Sequence, residues 1–418
     1  MKARVLVAAL VALMLVWLGR EAWLRAAVAP AGDVEAWVRV GETVDVEGPV
    51  WLEFDGLDGS LSVRPGAPGK LEIVAIKTAY GTSAEEAAAR ARELPLVIRR
   101  EGDRVLFSAR SEEVPFWQSP PPLRVDYQIT APEQAGLKVS DGKGSVHASG
   151  LHRGVDLSGG DLTVRLSNVR GGASVAVERG NITIDGSDGD LRLRTTAGEI
   201  GMTHASGGEV ECDAGGGVSV AESEVARRLS VRSGGNAVSL RRTHAASVEV
   251  VAADAASIDL SDASAAQTLL VRGGVGAISV ERTQAHPLVV VSERAAVDLK
   301  EVQGDVEVAT AGEPVTLVGA SPSSLSVASN GGDVYFAGSL PAAGTTAIDS
   351  GGGELRLSVA REATLDLDAD AGGGELAVDR RLLAGEEVGG SVARMAINGG
   401  GPKVVLRTHG GALHLTTR

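Results

Sequence analysis

A short apolar–x–apolar pattern recurs about every 19–20 residues over more than half of this chain. Copies include Leu162-Thr163-Val164, Val238-Ser239-Leu240 and Leu355-Arg356-Leu357. A fixed period of this length is typical of a solenoid, in which each coil buries its apolar side against its neighbours. We therefore predict an all-β fold, a right-handed β-solenoid (β-helix) of about 12 coils, because parallel strands connected in one direction wind right-handed.

A second series of triplets falls between the copies of the first, once per coil. Val210-Glu211-Cys212 and Leu229-Ser230-Val231 belong to it. Each coil therefore carries at least two short strands, joined by corners rich in Gly, Asn and Ala. The chain has 55 glycines and only 3% aromatic residues, which fits tight corners around a core of stacked aliphatic side chains. At the usual strand spacing, twelve such coils would extend about 55–60 Å.

Period-2 alternation assigns the two faces of each strand. The apolar residues of a triplet point inward, and the residue between them points outward. We name the outward row on the first sheet the polar ladder and predict that it contacts an envelope glycan or a protein. Its candidate interaction residues are Thr163, Thr183, Ser219, Ser239, Asp259, Ser279, Asp298, Thr316, Tyr335 and Arg356.

Residues 1–32 have the layout of an export signal followed by a short linker. Lys2 and Arg4 precede an apolar run over residues 5–18. No small-x-small cleavage site follows at the usual distance, so we favour an uncleaved signal anchor, with cleavage and secretion as the alternative. With Lys2 and Arg4 inside, the body of the chain would lie outside the cytoplasm, in the periplasm or at the cell surface.

Residues 33–130 interrupt the repeat and predict a β-rich cap that contains one helix, over residues 83–94. Ser83 is its N-cap, and Glu86 completes the sequence of a capping box. Residues 96–99 and 105–109 then form a predicted hairpin around Glu101-Gly102-Asp103. We expect this cap to cover one end of the solenoid, which occupies residues 131–418. The final strands, 404–407 and 412–415, would close the other end.

Charge and cysteine content exclude some classes of function. The net charge of −14 would repel a phosphate backbone, so we predict no nucleic-acid partner. Cys212 is the single cysteine, which rules out a disulfide within the chain and a cysteine metal cluster. Its place in an inward triplet position predicts a small buried side chain. The sequence leaves the oligomeric state open.

We predict no catalytic residue, no cofactor and no metal site. The glycine-rich stretches precede strands and lack the lysine of a phosphate-binding loop. Two alternatives remain open. A polysaccharide-acting enzyme could use Asp259 and Asp298, although their expected separation of about 10 Å exceeds the usual 5–9.5 Å range for paired carboxylates. A self-assembling scaffold could instead stack end to end through exposed terminal strands.

The order of motifs resembles that of the bacterial putative-adhesin domains of unknown function. The matching segments are residues 58–63, 83–87, 101–105 and 125–129, followed by serial copies such as 159–164, within a span of about 45–418. The resemblance implies a single-chain β-helix carried on an exported or membrane-anchored protein. It supplies no catalytic residues. We therefore predict a non-catalytic structural or interaction module of the cell envelope.

Overall fold

A computed structural model describes residues 34–109, 123–253, 256–383 and 390–418. The chain divides into two compact units, residues 1–151 and 152–418. Strands make up 67% of the described residues. The predicted signal anchor and linker, residues 1–32, lie outside the described residues. Within the described ranges, no helix has the length and apolar character needed to cross a membrane.

The first unit combines antiparallel and parallel pairing. Strand β1 (Val34–Asp45) pairs antiparallel with β3 (Lys70–Gly81), and β3 with β6 (Leu123–Ala131). Strand β2 (Val50–Pro65) pairs in parallel with β5 (Arg104–Ser108), β6 and β7 (Ala135–Ser149). Its core includes Phe54 stacked on Phe107 at 4.3 Å between ring centroids, with Tyr127 edge-on to both. The strands of this unit are β1 Val34–Asp45, β2 Val50–Pro65, β3 Lys70–Gly81, β4 Val97–Glu101, β5 Arg104–Ser108, β6 Leu123–Ala131 and β7 Ala135–Ser149.

The predicted helix and hairpin of the first unit are both present. Helix α1 spans Ala84–Glu93, and the Ser83 side chain accepts a hydrogen bond from the Glu86 amide at 3.2 Å. The Glu86 carboxylate departs from the capping-box pattern, because it accepts from the amide of Thr82, one residue before the N-cap. Strands β4 and β5 form the antiparallel hairpin.

The second unit is a β-solenoid of about 12 turns, as predicted. All its pairings among the described residues are parallel, apart from the pairing of Leu365–Asp370 with Val392–Ile397. Its strands are β8 Val155–Arg170, β9 Ala173–Arg179, β10 Ile182–Asp188, β11 Leu191–Ala197, β12 Ile200–Ala214, β13 Val218–Ser233, β14 Val238–Ala252, β15 Ile258–Ser261, β16 Ser264–Gly273, β17 Ile278–Glu281, β18 Gln284–Ser292, β19 Val297–Lys300, β20 Gln303–Thr310, β21 Val315–Val318, β22 Ser321–Ala328, β23 Val334–Ala337, β24 Thr346–Asp349, β25 Leu355–Val359, β26 Leu365–Asp370, β27 Leu376–Val378, β28 Val392–Ile397, β29 Lys403–Arg407 and β30 Leu413–Thr417.

The inward faces of the coils are those that the period-2 pattern predicts. Val238 and Leu240 are buried and lie opposite Ile258 and Leu260 of the next coil. Cys212 is fully buried as well, and this burial raises the pKa of its thiol to about 12. The thiol therefore stays protonated near neutral pH and packs as a small apolar group.

Buried hydroxyl groups satisfy the backbone at one corner of the stack. Each of six residues donates its side-chain hydrogen bond to the carbonyl three positions later, as Ser350 does to Gly353 at 2.6 Å. Such a bond keeps a buried turn carbonyl from remaining unpaired. The six residues are Ser233, Ser292, Thr310, Ser329, Ser350 and Thr408.

The C-terminal coils do not stack in chain order. Strand β29 lies between β24 and β26, and β30 lies between β25 and β27. The strands that we expected to close the end, residues 404–407 and 412–415, therefore sit one coil inside it. The end is formed by β26 and β27, and the antiparallel strand β28 covers the outer edge of β26. An antiparallel strand satisfies that edge without adding a further coil.

Candidate functional site

The polar ladder lies on the outer face of the first sheet of the second unit. Ser219, Ser239 and Asp259 are register partners on adjacent parallel strands, and the row continues through Ser279 and Asp298. Thr316, Tyr335 and Arg356 extend it. Every predicted member is exposed or half-buried. The structure thus brings these side chains into one row, from Thr183 to Arg356.

Thr163 is the exception. Arg165 lies opposite Thr183, and Thr163 falls two positions earlier on β8. Leu162, Val164 and Leu166 are all buried, so a register shift of two residues keeps every apolar side chain inside. For that reason, the alternation of the sequence could not choose between Thr163 and Arg165.

A shallow depression of about 480 Å³ interrupts the polar ladder near its start. It lies over Thr183, Gly201, Ser219 and Ser239, which occupy successive coils. Gly201 has no side chain and the serines are short, so the sheet surface is low here. A ligand could reach the backbone of the sheet at this point, but the depression offers little enclosure.

The two carboxylates of the enzyme alternative keep the spacing that the sequence predicts. Ser279 lies between Asp259 and Asp298 in the row, so the two side chains are two strand spacings, or about 10 Å, apart. Each has a cationic neighbour. Lys300 Nζ lies 2.6 Å from Asp298 Oδ2, and Arg241 Nη2 lies 4.0 Å from Asp259 Oδ2.

A second concave surface, which the sequence analysis missed, is larger. This corner groove has a volume of about 870 Å³ and crosses six successive coils of the second unit. Val225, Ala245 and Ala265 form its floor and are buried. One polar residue per coil precedes the floor position. That row, the groove rim, consists of Asp188, Ser206, Glu224, His244, Ser264 and Gln284, which are successive register partners.

The corner groove follows a line of β-bulges. The register shifts between Gly207 and Glu209, and again at the equivalent place in the next four strand pairs. A bulge bends the strand and leaves an extra residue unpaired. Small residues follow the floor at these points: Gly208, Ala226, Ala246 and Ala266. The signal in the sequence is a repeated polar–small–small pattern, such as His244-Ala245-Ala246 and Ser264-Ala265-Ala266.

Polar contacts along the groove rim are few and local. His244 Nδ1 lies 2.6 Å from Ser264 Oγ, and the Ser206 hydroxyl donates to the carbonyl of Ser187 at 3.2 Å. The carboxylates Asp188 and Glu224 lie toward one end of the row, and His244, Ser264 and Gln284 lie toward the other. The groove can therefore offer hydroxyl, amide, imidazole and carboxylate groups to a ligand.

A row of charged residues in the left-handed conformation runs beside the groove. Five of them lie two positions before a rim residue, and the sixth, Glu301, continues the row into the next coil. His204, Glu222, Arg242, Asp262, Arg282 and Glu301 all have φ between 46° and 53°. We name these six residues the charged corner. Their signs alternate from coil to coil when His204 is protonated. Glu222 pairs with Arg242, and Arg282 Nε donates to Asp262 Oδ1 at 2.7 Å. These hydrogen bonds lower the pKa of both carboxyl groups.

His204 is the titratable end of the charged corner. Its Nδ1 lies 3.0 Å from Asp185 Oδ1, and its Nε2 lies 2.8 Å from Glu222 Oε2. The hydrogen bond to Asp185, supported by Glu222, raises the pKa of His204 above its ordinary value. Both ring nitrogens face acceptors, and only the protonated ring can donate from both.

We expect the imidazole of His204 to titrate above about 6.5 in the folded chain. A raised folded pKa means that the contacts stabilise the fold at low pH and lose this effect as pH rises through that pKa. NMR titration of His204 would measure it. Asp185→Asn should lower the pKa, whereas a pKa at or below 6.5 in the unaltered chain would contradict the expectation. The whole cluster is exposed, so the effect on stability should be small.

The described residues contain no group of three or more His, Cys, Asp or Glu side chains arranged to hold a metal ion. His204 and the carboxylates of Asp185 and Glu222 form a line across three coils.

The chain was compared with protein families, curated proteins and solved structures. No protein-family model matches the chain, and no curated protein is similar to it.

Among solved structures, the chain is similar to a putative cell adhesion protein from Clostridium sporogenes. The two are 9% identical, with a TM-score of 0.16, over 91% of this chain and 100% of that one. A likeness this weak carries no argument about fold or function. The family that the sequence resembles therefore stays a prediction.

Proposed function

We propose that this chain is a non-catalytic interaction module of a bacterial-type cell envelope, adhesin-like in role. Its N-terminal segment would hold it at the membrane, with both compact units outside the cytoplasm. One observation carries the proposal: the corner groove is open along six coils and offers one polar side chain per coil. An elongated surface of this kind suits a polymer better than a compact small molecule, which usually occupies an enclosed pocket.

We further propose that the polymer is a glycan. The groove crosses the face of stacked parallel strands and is not a sheet edge, so a peptide could not add to it as a new strand. Recognition would therefore rely on side chains. The rim residues Ser206, His244, Ser264 and Gln284 can exchange hydrogen bonds with sugar hydroxyls. Rim groups recur about every 4.8 Å along the groove, so they could contact successive units of an extended polymer.

In this proposal the chain catalyses no reaction. Asp259 and Asp298 remain the carboxylates to test for the enzyme alternative, but they lie on the polar ladder rather than in the groove. Their two-coil spacing leaves about 10 Å between them. Lys300 also occupies one oxygen of Asp298.

Filling the groove should weaken binding. Ala246 is half-buried and Ala266 is exposed, so tryptophan at both positions would occupy the groove without entering the core. We expect the full-length chain to co-sediment saturably with purified peptidoglycan sacculi, chitin or cellulose. Ala246→Trp/Ala266→Trp should weaken that binding by about tenfold or more, equivalent to about 1.4 kcal/mol. Ala296→Trp, an exposed alanine outside the groove, is the matched control.

Other outcomes would redirect or overturn the proposal. If Ser219→Trp/Ser239→Trp abolished binding and the groove variant did not, the polar ladder would be the binding surface. Saturable binding to envelope proteins alone would replace the glycan with a protein. Release of soluble sugar that stops on Asp259→Asn or Asp298→Asn would establish an enzyme. No saturable binding to any of these probes would contradict the proposal.

A further inference from the structure

Strand β1 forms an open edge of the first unit. Among the described residues its ladder partner is β3 alone, although it is 12 residues long. Trp37, near its start, is 66% exposed. Open edges usually carry charged side chains, proline or a bulge that discourages further pairing. β1 has no proline, but it carries Glu35, Arg39, Glu42 and Asp45. This edge can therefore accept a strand only if the charges of that strand complement its own.

The hydrogen-bonding direction of β1 can be assigned. The Val46 amide donates to the carbonyl of Gly69 at 3.0 Å, in line with the β1–β3 register. Even-numbered residues of β1 therefore turn their N–H and C=O groups toward β3, and odd-numbered residues turn theirs to the open side. Glu35, Trp37 and Arg39 belong to the second group, and their side chains are exposed.

One end of the open edge is already occupied. Arg100 Nη1 donates to the carbonyl of Asp45 at 2.7 Å, at the C-terminal end of β1. An incoming strand has more room along the N-terminal half, where Glu35, Trp37 and Arg39 lie.

We propose that this half of β1 pairs antiparallel with β1 of a second copy, with Trp37 on the two-fold axis. In that register Glu35 of each copy lies opposite Arg39 of the other, so the dimer gains two opposite-charge pairs. The two Trp37 rings meet at the centre, where aromatic pairs add to sheet stability. Centring on Arg39 or on Glu42 would instead oppose like charges. A self-complementary patch of this kind is what a two-fold dimer requires.

A charge exchange tests the register. The full-length chain, purified in detergent, should be dimeric by light scattering at high concentration and dissociate on dilution. Glu35→Arg and Arg39→Glu should each raise the dissociation constant by about tenfold or more, because each creates two like-charge pairs. The double variant Glu35→Arg/Arg39→Glu should restore the dimer. Glu42→Arg, outside the paired half, should behave like the unaltered chain.

Several results would overturn the dimer. These are a monomer at every concentration, a double variant no tighter than either single one, and a Glu42→Arg effect as large as that of Glu35→Arg. The dimer would also be contradicted if the fluorescence emission of Trp37 shifted on anionic lipid vesicles while the mass of the protein did not change. The edge would then contact lipid. The test is independent of the proposed function. Ala246→Trp/Ala266→Trp lies in the other unit and should dimerise normally.

Discussion

Replacing Leu406 with alanine should destabilise the second unit by about 2–5 kcal/mol, the range for a fully buried leucine. Leu406 is fully buried on β29, and β29 lies between β24 and β26. The resulting cavity would therefore loosen the contact with a coil on each side. Chemical denaturation of the full-length chain would measure the loss, and hydrogen exchange on β24 and β26 would locate it.

The control for Leu406 is a leucine of the end coil. Leu376 on β27 is only half-buried and pairs with β30 alone among the described strands. Leu376→Ala should therefore cost about 1 kcal/mol, since less apolar surface leaves contact. Equal losses for the two variants would mean that β29 is no more enclosed than the end of the stack.

Crosslinking would test the stacking order directly. Ala347 and Val405 are register partners on β24 and β29, at a spacing that a disulfide can bridge. Ala347→Cys/Val405→Cys should crosslink on oxidation. Ala347→Cys/Asp368→Cys should not, because β29 lies between the two positions and separates them by about 10 Å. The opposite result would show that the coils stack in chain order.

The order of the C-terminal strands shows what the sequence repeat can and cannot predict. Apolar triplets identified the strands and their inward faces, because burial of Val, Leu and Ile is the same in every coil. For the same reason the triplets cannot say which coil lies beside which. Leu367 and Leu406 are equally acceptable neighbours for Ile348, and the structure selects Leu406. That choice depends on the whole C-terminal segment, including β28.

Of the candidate surfaces, too, only some could be predicted from the sequence. The polar ladder could be predicted because its residues alternate with buried ones, although Thr163 was placed two positions from the row by an equivalent register. The corner groove could not be found by alternation, because β-bulges break the period-2 pattern along it from β12 onward. The charged corner was equally hidden. Residues such as Arg242 and Glu222 are not the usual occupants of the left-handed region, and neighbouring coils supply their partners.

Substituting Gly304 should have the largest effect of any single methyl group added to the second unit. Gly304 lies next to the groove, opposite Ala285, with φ of +106°. A Cβ at this position would lie 1.8 Å from the carbonyl oxygen of Ala285. Because both atoms belong to stacked strands, neither can move without separating β18 from β20. We expect Gly304→Ala to cost about 3–5 kcal/mol from strain and overpacking together.

Two glycine controls separate the causes of that loss. Gly352 has φ of +127° with open space around its Cβ position, so Gly352→Ala should cost about 1–3 kcal/mol from backbone strain alone. Gly201, on the polar ladder, has neither a left-handed φ nor a neighbour within 4 Å. Gly201→Ala should therefore be neutral or stabilise by up to about 1 kcal/mol. Chemical denaturation with hydrogen exchange on β20 would rank the three. If Gly304→Ala cost no more than Gly352→Ala, the close stacking of coils at the groove would be disproved.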